Sequence, residues 1–171
     1  MANYLCRVTD PRVPDYLVKK IIVPTGVTLY AGSIVPLVAL DTTISNNYQV
    51  YTGTEPATAN LGIRMAMVIN DGFETLADGR RPNGQPDYTQ YAYNAGDIVT
   101  AILMVPGMDF EISDDCITGA SAVGKYLEPV NGSYKTSIVD SRTLGTVSAM
   151  KVIFAGKNFR MGGNLGGQFI T

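Results

Sequence analysis

Residues 91–132 read YAYNAGDIVTAILMVPGMDFEISDDCITGASAVGKYLEPVNG, and this stretch decides the fold. Ala95-Gly96-Asp97 has the make-up of a turn. Ile98 to Val105 is an apolar run with a single Thr, the pattern of a strand covered on both faces. Pro106-Gly107 turns the chain again. Met108 to Ser113 alternates, with Met108, Phe110 and Ile112 on one face and Asp109, Glu111 and Ser113 on the other. Asp114-Asp115 ends the run. A further strand from Gly124 to Val130 stops at Asn131-Gly132, a favoured dipeptide for tight hairpins. Rigid sheet dominates here and reactive side chains are few, which points to a binding or building part.

The rest of the chain reads the same way. Leu17 to Val23 is expected to be the first strand, so the sheet is expected to start at about Leu17. Lys19 and Lys20 stand where charges protect a sheet edge. In Leu29 to Leu40, Gly32 marks a turn and a strand starts at Ile34; Pro36 places it at an edge or a bulge. Tyr48 to Thr52 is a short strand of strong β formers, and Leu61 to Ile69 another. Residues 70–90 form a long loop or surface hairpin, residues 133–149 are polar and weakly patterned, and Lys151 to Ala155 closes the sheet. No window has a convincing helical period. A five-residue word recurs: Ala31-Gly32-Ser33-Ile34-Val35 returns as Ala95-Gly96-Asp97-Ile98-Val99, each time a glycine turn before a buried strand. Two pseudo-equivalent hairpins would explain it, as would coincidence between common turn words.

The ends differ from this body. Pro11 and Pro14 forbid a helix in residues 1–16 and favour extended backbone, which suggests an arm. The domain proper is expected over 17–155, with a glycine-rich tail over 156–171. The arm's apolar Tyr4, Leu5, Val8, Val13 and Tyr16 must lie on their own domain or on a partner, and Arg7 and Arg12 add charge suited to an acidic surface. These seven residues are the candidate partner-binding site.

A chain of 171 residues buries roughly two thirds of its unfolded surface, so no disulfide or metal is needed to hold a core. Charged residues are 16%, below the ~25% usual for soluble domains, which suits a surface partly covered by a partner. The net charge of −2 gives no reason to expect nucleic-acid binding. The start is polar and Pro-broken, so no targeting segment is expected, and no apolar run is long enough to span a membrane as a helix. Synthesis in a cytoplasm then makes Cys6 and Cys116 free thiols, and Asn131-Gly132-Ser133 a turn instead of a glycosylation site.

The chain has no histidine, which removes Ser-His-Asp and Cys-His nucleophile systems and nearly all zinc enzyme sites. Glu111, Asp114 and Asp115 are the available carboxylates for acid–base work, and with Asp109 for calcium. They follow one strand end and its turn, where solvation explains them, and the twelve-residue calcium-loop pattern is missing. The glycines from Gly162 to Gly167 lack GxGxxG spacing and open no helix, so they do not cradle phosphate. No enzyme activity, cofactor or metal is expected.

Four segments taken together, LYAGSIVPLVAL (29–40), NYQVY (47–51), YNAGDIVTAILMVPGMDFEIS (93–113) and VGKYLEPVNGSYK (123–135), resemble capsid decoration proteins of tailed bacteriophages, also called head decoration, cement or auxiliary capsid proteins. The likeness covers roughly residues 17–155 and rests on turn and core positions: the Gly96-Asp97 turn with its strand, Gly107 before Phe110 and Ile112, and Gly124 to Gly132. It implies an all-β fold, a compact β-barrel or β-tulip-like single domain with an extended N-terminal arm. It also implies a place on the outer surface of the virion's capsid, bridging major capsid protein subunits. A homo-oligomer, a trimer for preference, fits; nucleic acid and membrane do not. The alternatives are a carbohydrate- or receptor-binding β module with Tyr88, Tyr91 and Tyr93 as its platform, and a tail-tube or adaptor component.

Overall fold

The computed structural model describes residues 4, 6–8, 13–42, 50–59, 61, 64–69, 92–142, 149–158 and 162–170. The fold is all-β and barrel-like, and its described strands form two sheets. In chain order they are β1 (Cys6–Val8), β2 (Val18–Ile22), β3 (Ile34–Pro36), β4 (Val50–Thr52), β5 (Met65–Val68), β6 (Ile98–Leu103), β7 (Asp109–Ser113), β8 (Ile117–Thr118), β9 (Tyr126–Val130), β10 (Ser133–Val139), β11 (Ala149–Asn158) and β12 (Gly162–Ile170). The helical elements among the described residues are single 3-10 turns at Asp15–Leu17 and Asp114–Cys116.

The five-stranded sheet runs β3-β5-β6-β2-β4 and curls on itself. After β3 pairs with β5, the chain makes a tight turn in which the Val38 amide donates to the Pro36 carbonyl at 3.1 Å. It then crosses to the opposite edge, where Thr52 N donates to Ala39 O at 3.0 Å and Asp41 N to Val50 O at 2.8 Å, around a Leu40–Tyr51 bridge. One bent segment thus touches both edges and removes most of the edge problem of an open sheet. Pro36 sits on an edge strand, as its missing amide requires.

The reading of Lys19 and Lys20 as edge guards is corrected by the pairing. β2 lies inside the sheet, antiparallel to β6 and parallel to β4. Lys20 is half-buried, and its Nζ donates to Thr100 Oγ1 of β6. A long aliphatic stem with a polar end suits a central strand as well as an edge.

The recurring word marks an internal two-fold relation. Leu29 and Tyr93, which stand at the same offset as the two words, pair with each other reciprocally: Leu29 N to Tyr93 O at 3.0 Å and Tyr93 N to Leu29 O at 2.9 Å. Gly32 N donates to Val68 O and Val68 N to Ser33 O, at 2.7 and 2.8 Å. In the second copy Gly96 N donates to Val23 O and Val23 N to Asp97 O, both at 2.9 Å. Each turn is tied by a short polar side chain, Ser33 Oγ accepting from Tyr30 N and Asp97 Oδ2 from Asn94 N. Equivalent residues that pair with each other must straddle the axis, so the pseudo-two-fold passes between Leu29 and Tyr93.

The glycines that punctuate the sequence occupy left-handed turns, with φ of +82° at Gly32, +90° at Gly96, +85° at Gly107, +91° at Gly124 and +73° at Gly132. Two of them make a matched test. A Cβ on Gly96 would meet nothing within 4 Å, whereas one on Gly32 would stand 2.6 Å from Cys116 Cβ and 2.8 Å from its Sγ. Gly96→Ala is expected to cost only the left-handed strain, about 1–2 kcal/mol. Gly32→Ala adds a buried overlap and is expected to cost about 2–5 kcal/mol. Urea unfolding of both variants measures the difference; equal losses would remove the packing argument.

The seven-stranded sheet runs β1-β7-β12-β11-β9-β10-β8. Four of its strands depart from the expected layout. β1 lies within the expected arm and pairs with β7, Cys6 opposite Ile112, so the sheet begins well before Leu17. β10 falls in the weakly patterned stretch 133–149, and β8 between the Asp114-Asp115 break and the strand expected from Gly124. β12 falls in the expected tail and stands inside the sheet, between β7 and β11. The anticipated strand phase at β7 holds: Phe110 and Ile112 are buried, with Asp109 and Glu111 partly exposed. β6 is buried on both faces from Val99 to Leu103, but Ile98 at its start is 50% exposed. The expected loop at 70–90 lies outside the described residues. One core cluster includes residues of both sheets, among them Ile21, Met67, Phe110, Leu127 and Met150.

Candidate functional site

One of the N-terminal site residues, Tyr4, helps line a small cavity. Tyr4 lays its ring on Tyr30, centroids 4.1 Å apart and planes 24° from parallel. The Lys135 ammonium stands 5.4 Å from the centre of the Tyr4 ring and donates to the Asp115 carbonyl at 2.9 Å. A cation over an aromatic face at such a site contributes roughly 0.5–1 kcal/mol. Beneath Tyr4 lies a cavity of about 130 Å³, lined by Thr28, Tyr30, Ser33, Cys116, Tyr134 and Lys135 among others. Burial, then the neighbouring Tyr30, raises the Tyr4 phenol's pKa; burial, then Glu55, does the same for Tyr134. Both hydroxyls therefore stay protonated and can donate hydrogen bonds at neutral pH.

The other expected site residues divide by environment. Arg7 pairs with Glu111 directly opposite it on β7, its Nε donating to Glu111 Oε2 at 2.6 Å. Its acidic partner is thus within the chain, on an exposed surface where such a pair contributes about 0–1 kcal/mol. Val8 and Val13 pack against the core, as Tyr4 does. Tyr16, in the 3-10 turn before β2, is 71% exposed. Leu5 and Arg12 lie outside the described residues. Of the described site residues, Tyr4, Val8 and Val13 lie on their own domain, while Arg7 and Tyr16 face solvent.

Other candidate groups do not assemble. Among the described residues, no three His, Cys, Asp or Glu side chains come together in a way that could hold a metal ion. Glu111 is engaged with Arg7, and Asp114 and Asp115 stand exposed in a 3-10 turn. Tyr93 is buried in its bridge with Leu29 and is no platform; Tyr88 and Tyr91 lie outside the described residues. Asn131-Gly132 is a hairpin turn, its Gly132 amide donating to Pro56 O and Asn131 Oδ1 accepting from Thr58 N.

Sequence reasoning missed Tyr30, Tyr134, Lys135 and Cys116. None carries a motif, and only the fold brings them to Tyr4. No described helix is long and apolar enough to cross a membrane. Comparison of the chain with protein-family models, with curated proteins and with solved structures finds no match.

Proposed function

We propose that this chain is a structural virion protein, a decoration protein that sits on the outer surface of a phage capsid and bridges major capsid protein subunits. The observation that carries the reading is the agreement between the resemblance and the turns. Gly96, Gly107, Gly124 and Gly132, which anchor the family likeness, all occupy left-handed turns of a barrel-like β domain. The N-terminal segment supports it: β1 lies at a sheet edge, where a partner strand adds by main-chain bonds, and Arg7 and Tyr16 face outward beside it. The low charge of the chain suits a surface that a partner covers.

The test is co-sedimentation of the purified chain with expanded, DNA-free phage capsids. Saturable binding with a fixed number of copies per capsid is the expected result. A chain that stays in the supernatant with expanded heads would overturn the reading. Retention on a glycan array would instead favour a carbohydrate-binding module.

A further inference from the structure

Cys6 and Cys116 are far apart in sequence but meet at one residue. Cys6 stands directly opposite Ile112 in the β1–β7 ladder, and both side chains are buried. Directly opposed residues hold their Cβ atoms about 4.5–5.5 Å apart. Ile112 Cγ2, Cys116 Cβ and Cys116 Sγ all crowd the α-carbon of Gly32, at 3.5, 2.6 and 2.8 Å from where a Cβ would stand. Ile112 therefore neighbours both cysteines, across the ladder from Cys6 and beside Cys116 at Gly32. Cys116 also lies near enough to Cys6 to raise the pKa of its buried thiol, after the larger effect of burial.

Their access to solvent differs. Cys6 is wholly buried; Cys116 is buried too, at 2% exposure, but forms part of the wall of the tyrosine cavity, its thiol beside the Ala31 carbonyl at 3.1 Å and the Ser113 hydroxyl at 3.2 Å.

We propose that Cys6 and Cys116 are a redox pair, joined on oxidation by a peroxide into a disulfide that staples β1 to the turn after β7. Hydrogen peroxide entering the cavity oxidises the Cys116 sulfur to a sulfenic acid and releases one water. The Cys6 sulfur then attacks that sulfur, the S–S bond forms, and the hydroxyl leaves with the Cys6 proton as a second water. Two thiols and one peroxide give one disulfide and two waters. Burial, then the neighbouring Cys116, pushes the Cys6 thiol well above its ordinary pKa, so the second step is slow. The staple suits a lasting change in how firmly the N-terminal strand is held, not rapid cycling.

The experiment treats the folded full-length chain with hydrogen peroxide. The intact mass is expected to fall by about 2 Da, with both thiols lost to maleimide in denaturant. A non-reducing peptide map is expected to join the Cys6 and Cys116 peptides. The melting temperature is expected to rise by roughly 5–10 °C and to return on reduction. Cys116→Ser, with circular dichroism as the folding control, is expected to abolish both the link and the shift. Three outcomes would overturn the proposal: mass gains of about 16 Da per oxygen without a link, disulfides only between molecules, or thiols that stay unreacted in the folded chain.

Discussion

A chain ending at Asn158 is expected to lose its cooperative unfolding transition. β12, which this truncation removes, is an interior strand of the seven-stranded sheet, between β7 and β11. Its residues pair with Ala149 to Asn158 of β11 on one side and with Asp109 to Ser113 of β7 on the other. Without it, the backbone edges of β7 and β11 lose their partners, beside the buried Phe110, Ile112, Met150 and Val152. β11 would keep its pairing with β9 at Met150 and Lys151 and the backbone bonds of Val152 to Gly124 and Lys125. The loss is comparable with the whole stability of a domain, about 5–15 kcal/mol. Bare strand edges next to apolar side chains also favour aggregation. Thermal melts by circular dichroism, with light scattering in parallel, measure both effects. A truncated chain that melts like the full one would show that residues 159–171 are an appendage.

Why this strand escaped sequence reading is physical. Gly162, Gly163, Gly166 and Gly167 give no alternation and weaken a strand considered alone; here pairing on both sides supplies what the side chains do not. β10 was hidden for a related reason. Its one fully buried position is Thr136, so its inward face does not read as apolar. β1 has only three residues and acquires its meaning from Glu111, 104 positions from Arg7. By contrast, β6 and β7 were legible because apolar runs and turn glycines define them locally. The repeated Ala-Gly word was legible too, but its two-fold meaning needed the Leu29–Tyr93 pairing. The site was half legible: Tyr4, Val8 and Val13 stood out as apolar groups needing cover, while the surfaces that cover them are assembled from distant segments.

That distinction changes what removal of the N-terminal segment should do. With a sheet starting at about Leu17, deletion of residues 2–16 would leave a folded domain that merely binds its partner less well. In the structure the same deletion strips β1 from β7, empties the fully buried Cys6 position, lifts Tyr4 from Tyr30 and removes Val8 and Val13 from the core surface. Emptying one buried apolar site typically costs about 2–5 kcal/mol. Several lost together are expected to leave the shortened chain unfolded or close to it at 37 °C. Weak capsid binding by such a chain would then report folding instead of contact. Arg7→Ala and Tyr16→Ala separate the two effects, because both side chains are exposed and the core beneath stays filled. Each is expected to change stability by less than about 1 kcal/mol. Together they are expected to weaken capsid binding at least tenfold, or ~1.4 kcal/mol, the Arg7 part fading as salt is raised. Urea unfolding and co-sedimentation on the same preparations measure both quantities. If the double variant binds like the parent while the deletion unfolds, the N-terminal strand is part of the core and the capsid contact lies on another face.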